Sequence, residues 1–187
     1  TKPGKDDGGG FTMKWMMGWM HDTLDYFKEE PIHRKYHHHK LTFASVYMFN
    51  EKYMMPLSHD EVVHGKASLV YKMKGDEWQK FANLRALYVY MFTSPGAKLL
   101  FMGDEFGQTG EWNFTQSLDW HLLDFEVHKG LQNLVKDLNH LYKNETAFYE
   151  NQFNPDCFEW VEANDEDNSV FVYLRKGKRK DDVLMVI

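Results

Sequence analysis

The strongest constraint on the fold is one uninterrupted stretch, "DEWQKFANLRALYVYMFTSPGAKLLFMGDEFG", residues 76–107. Its first part carries Phe81, Leu84, Leu87, Tyr88 and Met91 at helical spacing behind Asp76, a side chain suited to an N-cap. Ser-Pro-Gly then stops the helix, and "AKLLFMG" follows as a continuous apolar run of the kind found in parallel strands buried on both faces. That run ends in acids, Asp104 and Glu105. A helix feeding a buried strand with polar residues at its carboxyl end is the grammar of a parallel α/β fold.

The rest of the first 150 residues repeats that pattern. "FTMKWMMGW" reads as a strand or extended segment, and "HDTLDYFKEE" as a short helix stopping before Pro31. Leu41, Phe43, Ala44 and Tyr47 have helical spacing, and "YMMPL" is a short strand. "VHKGLQNLVKDLNHLYKNE" predicts a second long amphipathic helix with Leu131, Leu134, Val135, Leu138 and Leu141 on one side. The opening "TKPGKDDGGG" reads as a flexible polar loop. From about residue 150 the texture changes to short alternating segments, "CFEWVEA", "SVFVYLRK" and "DVLMVI", with "NDEDNS" as a hairpin turn. The expectation is an α/β part over 1–150 and an antiparallel β part over 151–187.

An open doubly wound sheet and a closed eight-stranded barrel both fit the α/β part, and both place function at the carboxyl ends of strands. Neither G-x-G-x-x-G nor G-x-x-x-x-G-K-[ST] is present, which removes the main support for nucleotide binding. About three strand–helix units precede residue 150, whereas a complete barrel takes about 250 residues. The α/β part reads as incomplete.

Composition narrows the partners. The chain is 43% hydrophobic over 187 residues, enough for one ordinary core. A net charge of −6 speaks against a polyphosphate partner, since nucleic-acid binders usually carry a basic face. One cysteine, Cys157, rules out an intrachain disulfide and fits a reducing compartment; it reads as a small buried hydrophobe. No apolar run approaches the ~18 residues of a membrane span, and the first ten residues lack a signal peptide's apolar centre. A cytoplasmic protein without membrane or nucleic-acid partners is expected. Aromatic residues make up 16% of the chain, and rings serve either as core filling or as platforms for sugar faces.

The chemistry concentrates in "PLSHDEVVHGK", residues 56–66, where His59, Asp60 and Glu61 follow a strand directly. This is either a solvated polar turn or a sugar-binding or catalytic strand end. "HRKYHHHK" places His33 and His37 at i, i+4 spacing, but no acid follows in a zinc-binding pattern, so no metal and no cofactor is expected.

The blocks "KWMMGWMHDTLDYF", "YHHHKLTF", "PLSHDEVVHGK", "WQKFANLRALYVYMF", "PGAKLLFMGDEFGQ", "EWN", "LDWHLL" and "FEW" run in the order found in bacterial glycogen (1,4-α-glucan) branching enzymes of the α-amylase superfamily, which the chain resembles. The resemblance implies strands 6–8 of a TIM (β/α)8 barrel followed by the start of an antiparallel β-sandwich. It implies a retaining cleavage of α-1,4 bonds, with the chain passed to a 6-hydroxyl to make an α-1,6 branch on an α-glucan. His59 and Asp60 match the pair closing the family's seventh strand. There Asp60 would hold the −1 sugar in its distorted, oxocarbenium-like form, and His59 would bind the same sugar.

The family's nucleophile Asp and acid/base Glu close strands four and five. They lie upstream of the sixth-strand block, so the resemblance implies a fragment that is inactive alone. Trp15 and Met17 fall where the sixth-strand loop lines the glucan groove, with core packing the alternative for Trp15. Glu61 would bind substrate, and His64 and Lys66, just beyond Asp60, would shape acceptor subsites. Asp104 and Glu105 either support the pocket rim or cap a loop. Another glucan-active member of the superfamily and a non-catalytic glucan-binding module remain alternatives. Cut barrel edges are expected to drive self-association.

Overall fold

In the computed structural model, which describes residues 10–187, the chain is a mixed α/β structure with two separate three-stranded sheets. The first is parallel, in the order β1 (Lys14–Trp15), β2 (Tyr53–Leu57), β3 (Ala97–Leu100). Between these strands run α1 (Met17–Lys28), α2 (His39–Phe43), α3 (Leu69–Lys72) and α4 (Glu77–Thr93). After β3 come α5 (Glu126–Asn144) and α6 (Thr146–Tyr149). The second sheet is antiparallel, in the order β4 (Phe158–Asp165), β5 (Val170–Lys176), β6 (Val183–Val186). The polar loop expected over 1–10 falls almost wholly outside the described residues.

The long helix forms as its sequence dictates. Asp76 accepts a hydrogen bond from the Gln79 amide at 2.8 Å while Gln79 Oε1 accepts from the Asp76 amide at 2.9 Å, a reciprocal capping box. Phe81, Leu84, Leu87, Tyr88 and Met91 are all buried, so the apolar stripe is the face that meets the core. Gly96 makes the turn into β3. Its φ of +97° suits glycine, and a Cβ there would stand 2.7 Å from the Tyr53 carbonyl oxygen of β2.

Four expectations are corrected. The segment 11–19 pairs as a strand only at Lys14–Trp15 and becomes helical at Met17, because Met16, Met20, Leu24 and Phe27 bury together at a helical period. The stretch after His38 breaks into α2 and a tighter turn over Ala44–Val46, leaving Phe43 exposed while Leu41 and Ala44 are buried. β3 is half-buried throughout rather than enclosed, since among the described residues it pairs with β2 alone. On α5, Leu131, Val135 and Leu138 are buried but Leu141 is 41% exposed, because the last turn runs past the core.

The antiparallel sheet is tied to the helices of the α/β part by polar contacts around Arg175 of β5, which is 0% exposed. Its guanidinium donates to the carbonyls of Thr93, Phe148 (3.2 Å) and Cys157 (3.3 Å), gathering the end of α4, α6 and the entry to β4. The last carbonyls of a helix lack intrahelical partners, and Arg175 satisfies one of them. Thr93 Oγ1 also lies 2.6 Å from the Tyr173 hydroxyl, and burial pushes that phenol up to about 12. The expected buried, inert character of Cys157 holds: it is 0% exposed and burial raises its thiol. Elsewhere along the seam, His38 Nε2 is 2.9 Å from the Ala163 carbonyl with its ring stacked on Phe171, and Trp160 Nε1 donates to Ser45 Oγ.

Candidate functional site

Three parallel strands end side by side, and the groups just past their ends converge. The ladder continues beyond β3, with the Phe101 amide donating to the Leu57 carbonyl at 3.0 Å. Trp15 closes β1, Phe101 follows β3, and a single 3-10 turn over His59–Glu61 follows β2. The turn is set by its own backbone bonds, Glu61 N to Ser58 O and Val62 N to His59 O. Backbone that turns sharply at a strand end presents its side chains outward, and two of the three here do so.

His59 sits among three rings. Trp15 is edge-on at 6.3 Å between centroids, Phe101 tilted at 5.9 Å and Trp112 edge-on at 5.6 Å. Asp60 lies alongside, its Oδ1 3.2 Å from His59 Nε2, and its Oδ2 accepts from Ser58 Oγ at 3.5 Å. Both side chains stay open to solvent, 40% exposed for His59 and 45% for Asp60. The turn therefore offers a carboxylate and an imidazole with unspent hydrogen-bonding capacity, set against aromatic walls. Such a surface suits a polyhydroxylated ring: hydroxyls for the polar groups, C–H faces for the rings.

Glu61, the third member of the turn, faces inward. It is buried and meets basic side chains from outside its turn: His21 of α1 at 3.8 Å, Lys66 at 3.5 Å and Lys72 of α3 at 4.0 Å. This carboxylate ties α1 and α3 to the strand end. Lys66 is thereby committed to Glu61, and its carbonyl accepts from Lys72 Nζ. His64 is fully exposed, 3.4 Å from Glu111 Oε2. Glu111 accepts from the amides of Gly65 (3.1 Å) and Ala67 (2.8 Å), which hold its carboxyl below the usual carboxylate range.

The remaining residues singled out in the sequence divide similarly. Met17 opens α1 half-buried and packs against the core, while Trp15 is 38% exposed beside His59. Glu105 turns back to accept from the Gly103 amide at 2.7 Å, which is loop capping. Asp104 is buried, and burial together with the neighbouring Glu105 raises its carboxyl well above the usual range. Phe101 and Trp112 belong to the site although sequence reasoning did not single them out. Their signal was position: Phe101 is the first residue past β3, and Trp112 stands in the "EWN" block.

The geometry can be set beside known sequences. No family model matches the chain. It is 57% identical over all 187 residues to the 1,4-alpha-glucan branching enzyme GlgB of Aquifex aeolicus, of which it spans 30%. With the GlgB proteins of Nitrosococcus oceani and Cellvibrio japonicus it shares 59% and 57% identity over 95% of its length, covering 24% of each. The chain thus spans under a third of the length of the curated relatives it matches. The order of motifs expected from the sequence is upheld: over its full length this chain is the counterpart of one segment of the bacterial 1,4-alpha-glucan branching enzymes.

Proposed function

We propose that this chain supplies the strand-7 end of a branching-enzyme active site. The observation that carries the reading is the outward-facing His59–Asp60 pair at the carboxyl end of β2, ringed by Trp15, Phe101 and Trp112. In this reading residues 1–150 are the C-terminal portion of a (β/α)8 barrel, with β1, β2 and β3 as its strands 6–8. β4–β6 begin a β-sandwich over 151–187. The protein acts on α-glucan in the cytoplasm.

The chemistry is a double displacement. A carboxylate attacks the anomeric carbon as a carboxylic acid protonates the leaving oxygen, and a 6-hydroxyl of a second chain then takes the glucosyl group. Those two carboxylates belong to sequence outside these 187 residues, as the relatives' greater length allows. Asp60 contributes charge and hydrogen bonds to the distorted sugar, strongest when the ring is most cation-like. His59 donates to the same sugar. Trp15 and Met17 line the groove, and Glu61, His64, Lys66, Asp104 and Glu105 shape or support its rim.

Linkage analysis of products from the longer protein tests this. New α-1,6 linkages formed from amylose support the reading, and hydrolysis alone contradicts it. The 187-residue chain by itself is expected to turn over no glucan. It is also expected to self-associate, since β1 and β3 each carry an edge unpaired among the described residues. Light scattering over a concentration series checks this, and a monodisperse monomer at tens of micromolar contradicts it.

A further inference from the structure

Behind the His59 site lies a small cavity of about 70 Å³, walled on the site's side by Phe101 and Trp112. Three of its lining residues present a buried polar atom without a hydrogen-bond partner among the described residues: Asp104 Oδ2, Ser68 Oγ and Trp112 Nε1. Asp104 is 3% exposed and Ser68 2%. A buried polar atom without a partner is costly, so three around one space mark a place for a hydrogen-bonding group, a water or the hydroxyl that displaces it. Ser68 makes the point sharply: it occupies the N-cap position of α3, yet its hydroxyl makes no capping bond.

The chemistry of the lining defines that group. No Lys, Arg or His lines the cavity, which disfavours an anion. Its other two carboxylates are engaged, Glu111 with the amides of Gly65 and Ala67 and Asp119 with the Gln108 side chain. Burial, with Glu105 beside it, raises the Asp104 carboxyl, which favours the neutral form that can donate as well as accept. No group of three or more His, Cys, Asp or Glu residues placed to hold a metal ion occurs among the described residues. What remains is a neutral hydroxyl-bearing group. A space of about 70 Å³ is small, with room for a hydroxyl-bearing arm rather than a whole sugar. A hydroxymethyl arm projects from a hexose ring and suits a space of that size.

We infer that Asp104, Ser68 and Trp112 form a hydroxymethyl-binding subsite for a glucosyl unit lying across the Phe101–Trp112 wall from His59. The inference rests on the glucan reading above and adds the residues and the part of the sugar recognised.

The test is calorimetric titration of the longer protein with maltohexaose and with its 6-deoxy counterpart. The wild type is expected to bind the 6-deoxy ligand roughly 3- to 10-fold more weakly, the range of one net hydrogen bond. Ser68→Ala is expected to lose a similar factor for maltohexaose and to stop discriminating between the two ligands. Trp112→Phe keeps an aromatic wall, though a smaller one, removes the indole N–H, and is expected to behave likewise; it serves if the first variant folds poorly. Full 6-hydroxyl discrimination retained in both variants, with His59→Ala still weakening glucan binding, overturns this subsite and leaves the glucan reading standing. Absence of any maltohexaose binding by the wild type overturns both.

Discussion

The end of the parallel sheet and the seam beneath the antiparallel sheet are both rich in polar side chains, and they use them in opposite ways. At the strand end, His59 and Asp60 are about half exposed and their partners are few and long, 3.2 and 3.5 Å. At the seam, Arg175 is fully buried and spends its donors on three carbonyls from three elements. Polar groups that hold a fold together must be satisfied before any ligand arrives, because their desolvation has already been incurred. Those that meet a substrate must keep capacity in reserve. The contrast predicts that substitutions at the first region change chemistry with little change in stability, and that substitutions at the second do the reverse.

The largest expected effect is at Asp60. Asp60→Asn in the longer protein keeps the shape and removes the charge, and turnover should fall on the order of 10³-fold, the scale of a lost preorganised electrostatic contact. Melting temperature should barely move, since the side chain is 45% exposed and its two polar contacts are long. Near-normal branching rates would break the comparison at its functional end.

Arg175→Ala should break it at the structural end. Removing the guanidinium strands the carbonyls of Thr93, Phe148 and Cys157 and empties the space over the Phe148 ring. A loss of roughly 3–5 kcal/mol is expected, as for other buried polar hubs that lose one partner. Denaturant titration measures it, and a loss below 1 kcal/mol would show that the seam is not held there.

A smaller effect sharpens the contrast through pH. Burial, with Arg175 nearby, pushes the Lys98 ammonium well below its ordinary range. Between its folded and ordinary values the unfolded chain binds a proton that the folded chain does not. Stability therefore rises with pH across that window and levels off near pH 10.5, the ordinary lysine value. Lys98→Met should flatten this slope in melting curves taken at several pH values. An unchanged slope would assign it to other groups.

The sequence made the helices and strand ends legible where one physical signal dominated. α4 announced itself by its cap, its stripe and its Ser-Pro-Gly stop, and all five stripe residues are buried. His59 and Asp60 were legible because two acids and an imidazole directly follow an apolar strand. What stayed hidden depended on tertiary context. Glu61 was indistinguishable in sequence from Asp60, yet it faces inward because His21, Lys66 and Lys72 come from outside its own turn. Arg175 sits in an ordinary alternating strand, and nothing local tells that three distant carbonyls await it. Trp112 enters the site through a loop bond, its amide donating to the Val62 carbonyl at 2.8 Å, which no periodicity reports.

The most direct test of the account is a crystal structure of the longer protein with a maltooligosaccharide bound. A glucosyl ring with its hydroxyls on Asp60 and His59, close to Trp15, is the result predicted. A glucan chain bound elsewhere, with the His59–Asp60 turn untouched at saturating ligand, would contradict it.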